Sequence, residues 1–380
     1  MSALFDQLVR RIQLDGPLSL ADYMAQVLTD PHLGYYSRQQ ADGKDPFGRR
    51  GDFITAPEIS QMFGELLGLW CADCWVNLGA PPRVILAELG PGRGTLMADL
   101  LRAAKGVPAF LAALEIHLVE VSPSLRRRQA QALGDLEVTW HDSVDQLPTS
   151  APLLLLANEF FDALPIHQYQ RTRQGWAERR IGINDAGTEL VFGLAAAVPG
   201  NRLLGLPPAD IGAVAELCPA GNAIAQAIGQ RLAAQGGAAL IVDYGYLKTQ
   251  AGDSLQALRA HRYHPVLRDP GSADITAHVN FQALAEAAQA GGARPLPPVT
   301  QGEFLTHLGL DQRASQLIAQ ATASQAKDIA EARKRLTGDA EMGRLFKVLA
   351  LTTSDGPDLA GFPTSQDPGE TQATPKNNPG

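Results

Sequence analysis

Residues 83–95 read Arg83-Val84-Ile85-Leu86-Ala87-Glu88-Leu89-Gly90-Pro91-Gly92-Arg93-Gly94-Thr95, and this stretch decides the fold. An apolar run from Val84 to Leu89 ends in three glycines, and an amphipathic segment, 96–104, follows. A strand, a glycine turn and a helix in that order form the crossover unit of a nucleotide-binding sheet. The glycines remove side chains where the backbone must approach a ligand. Glu88 stands two residues before the first glycine, and the spacing is G-x-G-x-G rather than G-x-G-x-x-G. That favours a ligand with ribose and amino-acid parts, such as S-adenosyl-L-methionine (SAM), over a dinucleotide pyrophosphate.

Working outward, strand and helix signals alternate. Strands are predicted at 116–121, 136–140, 153–157, 239–242 and 344–351. Helices are predicted from Pro123 to about Leu133 and over 222–234. This alternation predicts an α/β fold, a doubly wound parallel sheet with 153–157 at its buried centre. An insertion at about 163–221 reads as an antiparallel hairpin over 167–173 and 176–183. A second insertion, about 245–335, holds a charged helix at 326–336. Residues 1–82 read as an N-terminal helical extension. In it Ser19 caps a helix at 20–28, and the segment 51–61 leads into a helix ending near Leu78. The core is 83–353, and the Pro-, Gly-, Ser-, Thr- and Asn-rich stretch 354–380 reads as a disordered tail.

The chain has 380 residues, 45% hydrophobic and 19% charged, with net charge −8, which suits a globular protein with a sizeable core. No basic surface is implied, so a nucleic-acid partner has no compositional support. Three cysteines, Cys71, Cys74 and Cys218, argue against a disulfide framework and for a reducing compartment. Cys71 and Cys74 lack a second pair or a nearby histidine cluster, and read as helical neighbours rather than a metal site. No run of about 18 apolar residues and no signal-peptide pattern occurs, so no membrane insertion is expected.

Ligands of an open parallel sheet bind at the carboxyl ends of its strands. After the first strand stand Glu88, Gly90, Gly92, Gly94 and Thr95. After the second stand Glu120, Val121 and Ser122, and after the third Asp142 and Ser143. All read as cofactor-binding, with Glu120 on the ribose hydroxyls and Asp142 or Ser143 at the adenine edge. Asp142 and Asp162 also read as helix N-caps. After the fourth strand comes Asn158-Glu159-Phe160-Phe161-Asp162, the catalytic candidate, with Asn158, Glu159 and Asp162 as its residues. Paired carboxylates suit a planar guanidinium held in a bidentate fork. They can localise its charge on the far nitrogens and leave the near one free to attack in line. The other reading of Glu159 is that it binds only backbone amides. Asp243 and Tyr244 follow the fifth strand. With Asp52, Phe53, Thr55, Glu58, Gln61 and His278 they read as substrate-binding or site-closing. The 51–61 segment reads equally as a helix start, with Thr55 as cap and Pro57 just inside. His278 reads as a base, a substrate contact or a structural histidine.

In chain order, five motifs together resemble the MidA family. They are Gly51-Asp52-Phe53-Ile54-Thr55-Ala56-Pro57-Glu58-Ile59-Ser60-Gln61, the glycine turn from Glu88 to Thr95, Asn158-Glu159-Phe160-Phe161-Asp162-Ala163-Leu164-Pro165, Asp243-Tyr244-Gly245 and Asp274-Ile275-Thr276-Ala277-His278-Val279. This family includes the mitochondrial complex I assembly-factor arginine methyltransferase. The resemblance covers residues 4–362, and the 51–61 segment is its most specific part. It implies a class I SAM-dependent methyltransferase with a Rossmann-like sheet and an inserted substrate-binding subdomain. It implies SAM as cofactor, S-adenosyl-L-homocysteine (SAH) as product, and protein arginine N-methylation. In the mitochondrial members that is symmetric dimethylation of a complex I core subunit. The partners expected are a protein with an exposed arginine, such as a complex I subunit, and a second copy in a homodimer. Without a transit peptide the chain resembles the bacterial branch, which implies the cytoplasm rather than the mitochondrial matrix. The rival readings are a SAM-stabilised assembly chaperone and an NAD-type oxidoreductase, the latter disfavoured by Glu88 and the glycine spacing.

Overall fold

The computed structural model describes residues 2–37, 55–198 and 206–363. The core begins with strands β1 (Val84–Leu89), β2 (Leu114–Val119), β3 (Val138–His141) and β4 (Leu153–Asn158). The first insertion adds β5 (His167–Thr172), β6 (Gly175–Ile183), β7 (Leu190–Leu194) and β8 (Val214–Leu217). The chain then returns through β9 (Gly237–Tyr246). The second insertion carries β10 (Gln256–Arg259), β11 (Arg262–His264) and β12 (Asp274–Thr276), and β13 (Phe346–Thr352) comes last.

The main strands of the central sheet lie in the order β3-β2-β1-β4-β9-β13. Five are parallel, as the alternation predicts. The sixth corrects the expectation of a wholly parallel sheet. β13 runs antiparallel to β9, from Phe346 opposite Tyr244 to Thr352 opposite Ala238. The second insertion delivers the chain to the carboxyl edge of the sheet, so the last strand can only run back. β2 lies two residues earlier than its apolar run predicts, because Val121 turns out to solvent and is 64% exposed. The strand order reverses between β1 and β4, which sets a crevice at their carboxyl ends.

Every residue of β1 and β4 is buried, and alternation splits them between two cores. Leu86, Leu154, Leu156 and Leu240 face α4 (Gln61–Asn77) and α5 (Thr95–Ala104). Ile85, Leu153, Leu155 and Ile241 face two later helices, 219–235 and 281–290. The α4–α5 contact is close enough that a Cβ on Gly68 would lie 2.8 Å from the Leu100 carbonyl oxygen.

Helices α1 (Ala3–Asp15) and α2 (Leu20–Thr29) pack on the insertions rather than on the central sheet. Leu4, Leu8, Tyr23 and Met24 share a core with Ile181, Ala257 and Ile275, and Leu18 and Ser19 pair with Ile181 and Arg180 of β6. Ser19 caps α2, its hydroxyl accepting from the Asp22 N–H. The predicted hairpin is β5–β6. The short α3 (Ala56–Ile59) precedes α4. The stretch after Thr353, read as a disordered tail, is packed as far as Phe362. The Trp70 indole donates to the Ala360 carbonyl, and Phe362 lies against Phe304. Residues 364–380 lie outside the described residues.

Candidate active site

A cleft of about 1300 Å³ opens at the carboxyl ends of β1 and β4. That exceeds the usual range for one small molecule, roughly 300–1,000 Å³, and leaves room for a nucleoside and a substrate side chain together.

The glycine turn forms one wall. Gly90, Gly92 and Gly94 have φ of 61°, 53° and 83°, a region that side chains with a Cβ enter at a cost. A Cβ on Gly90 would stand 2.9 Å from the Phe160 ring. Gly94 heads α5 without a side-chain cap, so the first amides of the helix remain available to a ligand. Glu88, at the end of β1, is buried, and burial pushes its carboxyl up to about 8. Leu156 lies opposite Glu88, so Asn158, two residues on, shares its face of the sheet. Among the described residues Glu88 Oε2 and Asn158 Oδ1 are buried acceptors with no donor. The α-ammonium of an amino-acid moiety supplies donors of the right kind, so this wall fits SAM.

The ribose side is built around Glu120, also buried. Its Oε1 accepts from the Ser122 N–H at 2.8 Å and its Oε2 from Gln129 Nε2 at 3.2 Å, leaving lone pairs for hydroxyl donors. Ser122 and Val121 line the cleft, and Ser122 caps α6 (Pro123–Leu133). Gln129 also donates to the Gly92 carbonyl at 2.8 Å and accepts from the Trp140 indole at 2.9 Å. It thus ties the glycine turn to β2 and β3. Sequence reasoning missed it, although a polar residue on the buried stripe Leu125, Gln129, Leu133 is a legible signal. Asp142 and Ser143 line the far end. Asp142 does not cap a helix; it is exposed and pairs with Arg126 at 2.6 Å, while Ser143 holds the cap position of a single 3₁₀ turn.

At the other end stands the acid turn. Glu159 has φ of 50°, and its N–H donates to the Val242 carbonyl at 2.9 Å. Its Oε1 accepts from the Ala56 N–H at 3.0 Å and from Asn158 at 3.2 Å. Burial, and after it the neighbouring Asp162, pushes the Glu159 carboxyl up to about 8. The Asp162 carboxyl is likewise raised by burial, and it accepts from the Tyr244 hydroxyl. No helix follows Asp162, so it is not a cap either. Asp243 corrects another expectation. It is fully buried away from the cleft, and it accepts from the N–H groups of Phe161, Asp162 and Tyr244 at 3.0, 3.2 and 2.9 Å. It fixes the acid turn and does not itself line the cleft.

Tyr244 lines the cleft, edge-on to His278 at 5.4 Å and to Phe346 at 5.5 Å. His278 lines it too, and burial pushes its imidazole pKa down, so the ring is neutral near pH 7. Tyr36 and Asp274 join this end, 3.3 Å apart; Asp274 opens the fifth of the motifs quoted above, whereas Tyr36 does not stand out by type or spacing. Of the 51–61 segment, Asp52 and Phe53 lie outside the described residues. Thr55 holds the cap position of α3 without a side-chain bond, with Pro57 just inside the helix. Glu58 reaches the glycine turn, accepting from Thr95 Oγ1 at 2.6 Å and pairing with Arg93 at 2.7 Å. Gln61 is exposed at the start of α4 and does not line the cleft. No group of three or more metal-binding side chains occurs among the described residues.

A family model for S-adenosyl-L-methionine-dependent methyltransferases matches residues 66–299. The protein arginine methyltransferase NDUFAF7, mitochondrial, of Xenopus tropicalis is 36% identical over 395 aligned residues, covering 95% of this chain and 89% of that protein. The protein of the same name from Mus musculus is 38% identical, covering 92% and 84%. A COG1565 superfamily member from Burkholderia thailandensis, solved bound to S-adenosyl-homocysteine, superposes with a TM-score of 0.80 at 32% identity, covering 94% of each chain. With its glycine turn, the unpartnered Glu88 and Asn158 acceptors of its cleft and these likenesses, the chain belongs to the MidA family of S-adenosyl-L-methionine-dependent methyltransferases.

Proposed function

We propose that the chain N-methylates an arginine of a protein partner. The observation that carries this reading is the pair of carboxylates, half-buried Glu159 and buried Asp162, that line the same end of the cleft. Both carboxyls are raised by burial, so their charged forms are disfavoured in the protein alone. A guanidinium between them supplies the counter-charge and matches their planar acceptors in a fork. SAM, when bound, supplies a methyl group on a positively charged sulfur. Glu159 and Asp162 orient the guanidinium so that one nitrogen faces that methyl, which is a positioning effect rather than base catalysis. With SAM bound, the nitrogen would take the methyl as the carbon–sulfur bond breaks, and only afterwards would it give up the proton, which an ionised Glu159 or Asp162 could accept.

Glu88, Gly90, Gly92, Gly94, Thr95, Glu120, Val121 and Ser122 hold the cofactor in this reading, with Asp142 or Ser143 at the adenine. The relatives named protein arginine methyltransferases support an arginine target. By the same reading the target lies on a complex I core subunit and receives symmetric dimethylation.

The test is incubation with methyl-labelled SAM and a lysate from a strain lacking the protein, then amino-acid analysis of the labelled band. Labelled symmetric dimethylarginine is the expected product. Label recovered as methyl-lysine or as a methyl ester overturns the arginine assignment.

A further inference from the structure

The three strands of the second insertion turn one face to the cleft. They lie in the order β11-β10-β12. Leu258 of the middle strand stands opposite both Tyr263 and Asp274, and Gln256 stands opposite Thr276. Opposed residues share a face, and all five line the cleft. The alternate residues lie on the other face. There Ala257 and Ile275 pack into the core that holds Leu4 and Tyr23, which fixes the register of the sheet. Arg259 and Arg262 fall on that other face too, so Asp274 is the one charged residue these strands turn toward the cleft.

The inner edge of this face is tied to the acid turn. The Ala277 N–H, just past β12, donates to the Asp162 carbonyl at 3.0 Å. The Thr276 side chain hydrogen-bonds to that of Tyr244, whose hydroxyl donates to the Asp162 carboxylate. From there the row Asp274, Leu258, Tyr263 runs outward, from 6% exposed at its inner end to 82% at its outer one. Each step along the row is one strand spacing, roughly 5 Å. The methylene stem of an arginine crosses about one such spacing. With its guanidinium among the acids, an arginine lays that stem along Leu258, and its backbone emerges level with Tyr263.

We propose that this row sets the sequence preference of the protein substrate: Leu258 takes the methylene stem of the arginine, and Tyr263 takes an apolar side chain on the residue beside it. A lone exposed aromatic is ordinary on a protein surface, but this one extends a row that starts at the acid turn. Its ring offers a large apolar face at low cost in side-chain entropy, the kind of contact that carries much of the energy of protein recognition. An acidic neighbour of the arginine would meet Asp274 and be repelled, and a small polar one would leave the ring uncovered. The inference rests on the arginine reading above, and the experiment separates the two.

The probe is a short fluorescein-labelled peptide whose single arginine is flanked on both sides by leucine, its binding to the SAH-loaded protein read by fluorescence anisotropy. Two companion peptides replace the leucines with serine or the arginine with glutamine. The leucine peptide is expected to bind about tenfold tighter than the serine one, a ratio that covering roughly 60 Å² of apolar surface supplies. Tyr263→Ser should bring the two within about twofold of each other. Leu258→Ala should weaken both arginine peptides alike, by about fivefold, with SAH affinity confirming the fold of each variant. If glutamine costs nothing while the leucine preference persists and still depends on Tyr263, the arginine reading fails and the Tyr263 assignment stands. A leucine peptide that binds no tighter than the serine one, including no binding by either, overturns the proposal. A preference undiminished by Tyr263→Ser overturns it too, and unchanged binding of both arginine peptides to Leu258→Ala overturns the stem contact.

Discussion

The N–H of Ala56 donates to Glu159 Oε1 at 3.0 Å, across 103 residues of chain. Two residues further on, Glu58 grips Thr95 and Arg93 of the glycine turn. One short turn of the N-terminal region therefore holds both the glycine turn and Glu159. Glu58→Gln should weaken SAH binding about tenfold, by loss of charge-assisted bonds worth about 1–2 kcal/mol. Calorimetry on the folded variant measures this, and an unchanged affinity would detach the turn from the cofactor.

Glu159→Gln keeps an acceptor for the Ala56 amide but removes the negative charge. SAH affinity should stay within a factor of about three, while methyl transfer falls by about a hundredfold or more, a loss of roughly 3 kcal/mol in transition-state stabilisation. Filter-binding of labelled product measures turnover. Retained turnover would remove Glu159 from the mechanism.

The raised carboxyls of Glu88 and Glu159 set a pH dependence. Each folded-state pKa, about 8, lies above the unfolded value of 4.5. Their contribution to stability is therefore complete below about pH 4.5 and is lost as pH rises through about 8. The melting temperature of the protein alone should fall across that window, by the equivalent of a few kcal/mol, on the order of magnitude set by shifts of this size. Glu88→Gln should flatten the fall. A melting temperature that rises from pH 5 to 8 equally in both proteins would contradict the assignment.

Gly92→Val places a branched side chain at φ of 53°, against the ligand space. The strain alone costs roughly 1–2 kcal/mol, and the occluded cleft should abolish SAH binding. Circular dichroism establishes the fold of the variant, and calorimetry the binding. Near-native SAH affinity would place the cofactor elsewhere.

Gln129→Leu continues the apolar stripe of α6, so local helix packing should tolerate it. It strips donors or acceptors from Gly92, Glu120 and Trp140 at once. A cost of about 1–3 kcal/mol in unfolding free energy is expected, together with weaker SAH binding. Denaturant titration and calorimetry on the same sample check both, and a variant as stable and as tight as the parent would show these bonds to be idle.

The parallel strands and the glycine turn were legible because their signals are local: an apolar run, a G-x-G-x-G spacing, acids where strands end. That Glu88, Glu120, Glu159 and Asp162 line one cleft was legible for the same reason. The direction of β13 was not, since nothing local in an apolar heptapeptide says which way it crosses a sheet. Asp243 looked like a site acid by position, yet its two oxygens are taken by three backbone amides that only the fold brings near. Gln61 and Glu58 lie three residues apart in one motif and diverge because α3 breaks at Ser60 and α4 begins in a new direction. The contact between α1, α2 and the two insertions depends on pairings more than 150 residues apart, such as Leu18 with Ile181, which period and propensity do not encode.

The reversed last strand also supplies a wall of the cleft. Phe346 lines the cleft beside Tyr244, and it opens β13, the last strand among the described residues. A nascent chain that ends before Phe346 already carries the glycine turn and both acids, but its β9 edge is bare and its cleft lacks a wall. Pairing of β13 on β9 is therefore what joins the Phe346 wall of the cleft to the sheet that carries the glycine turn.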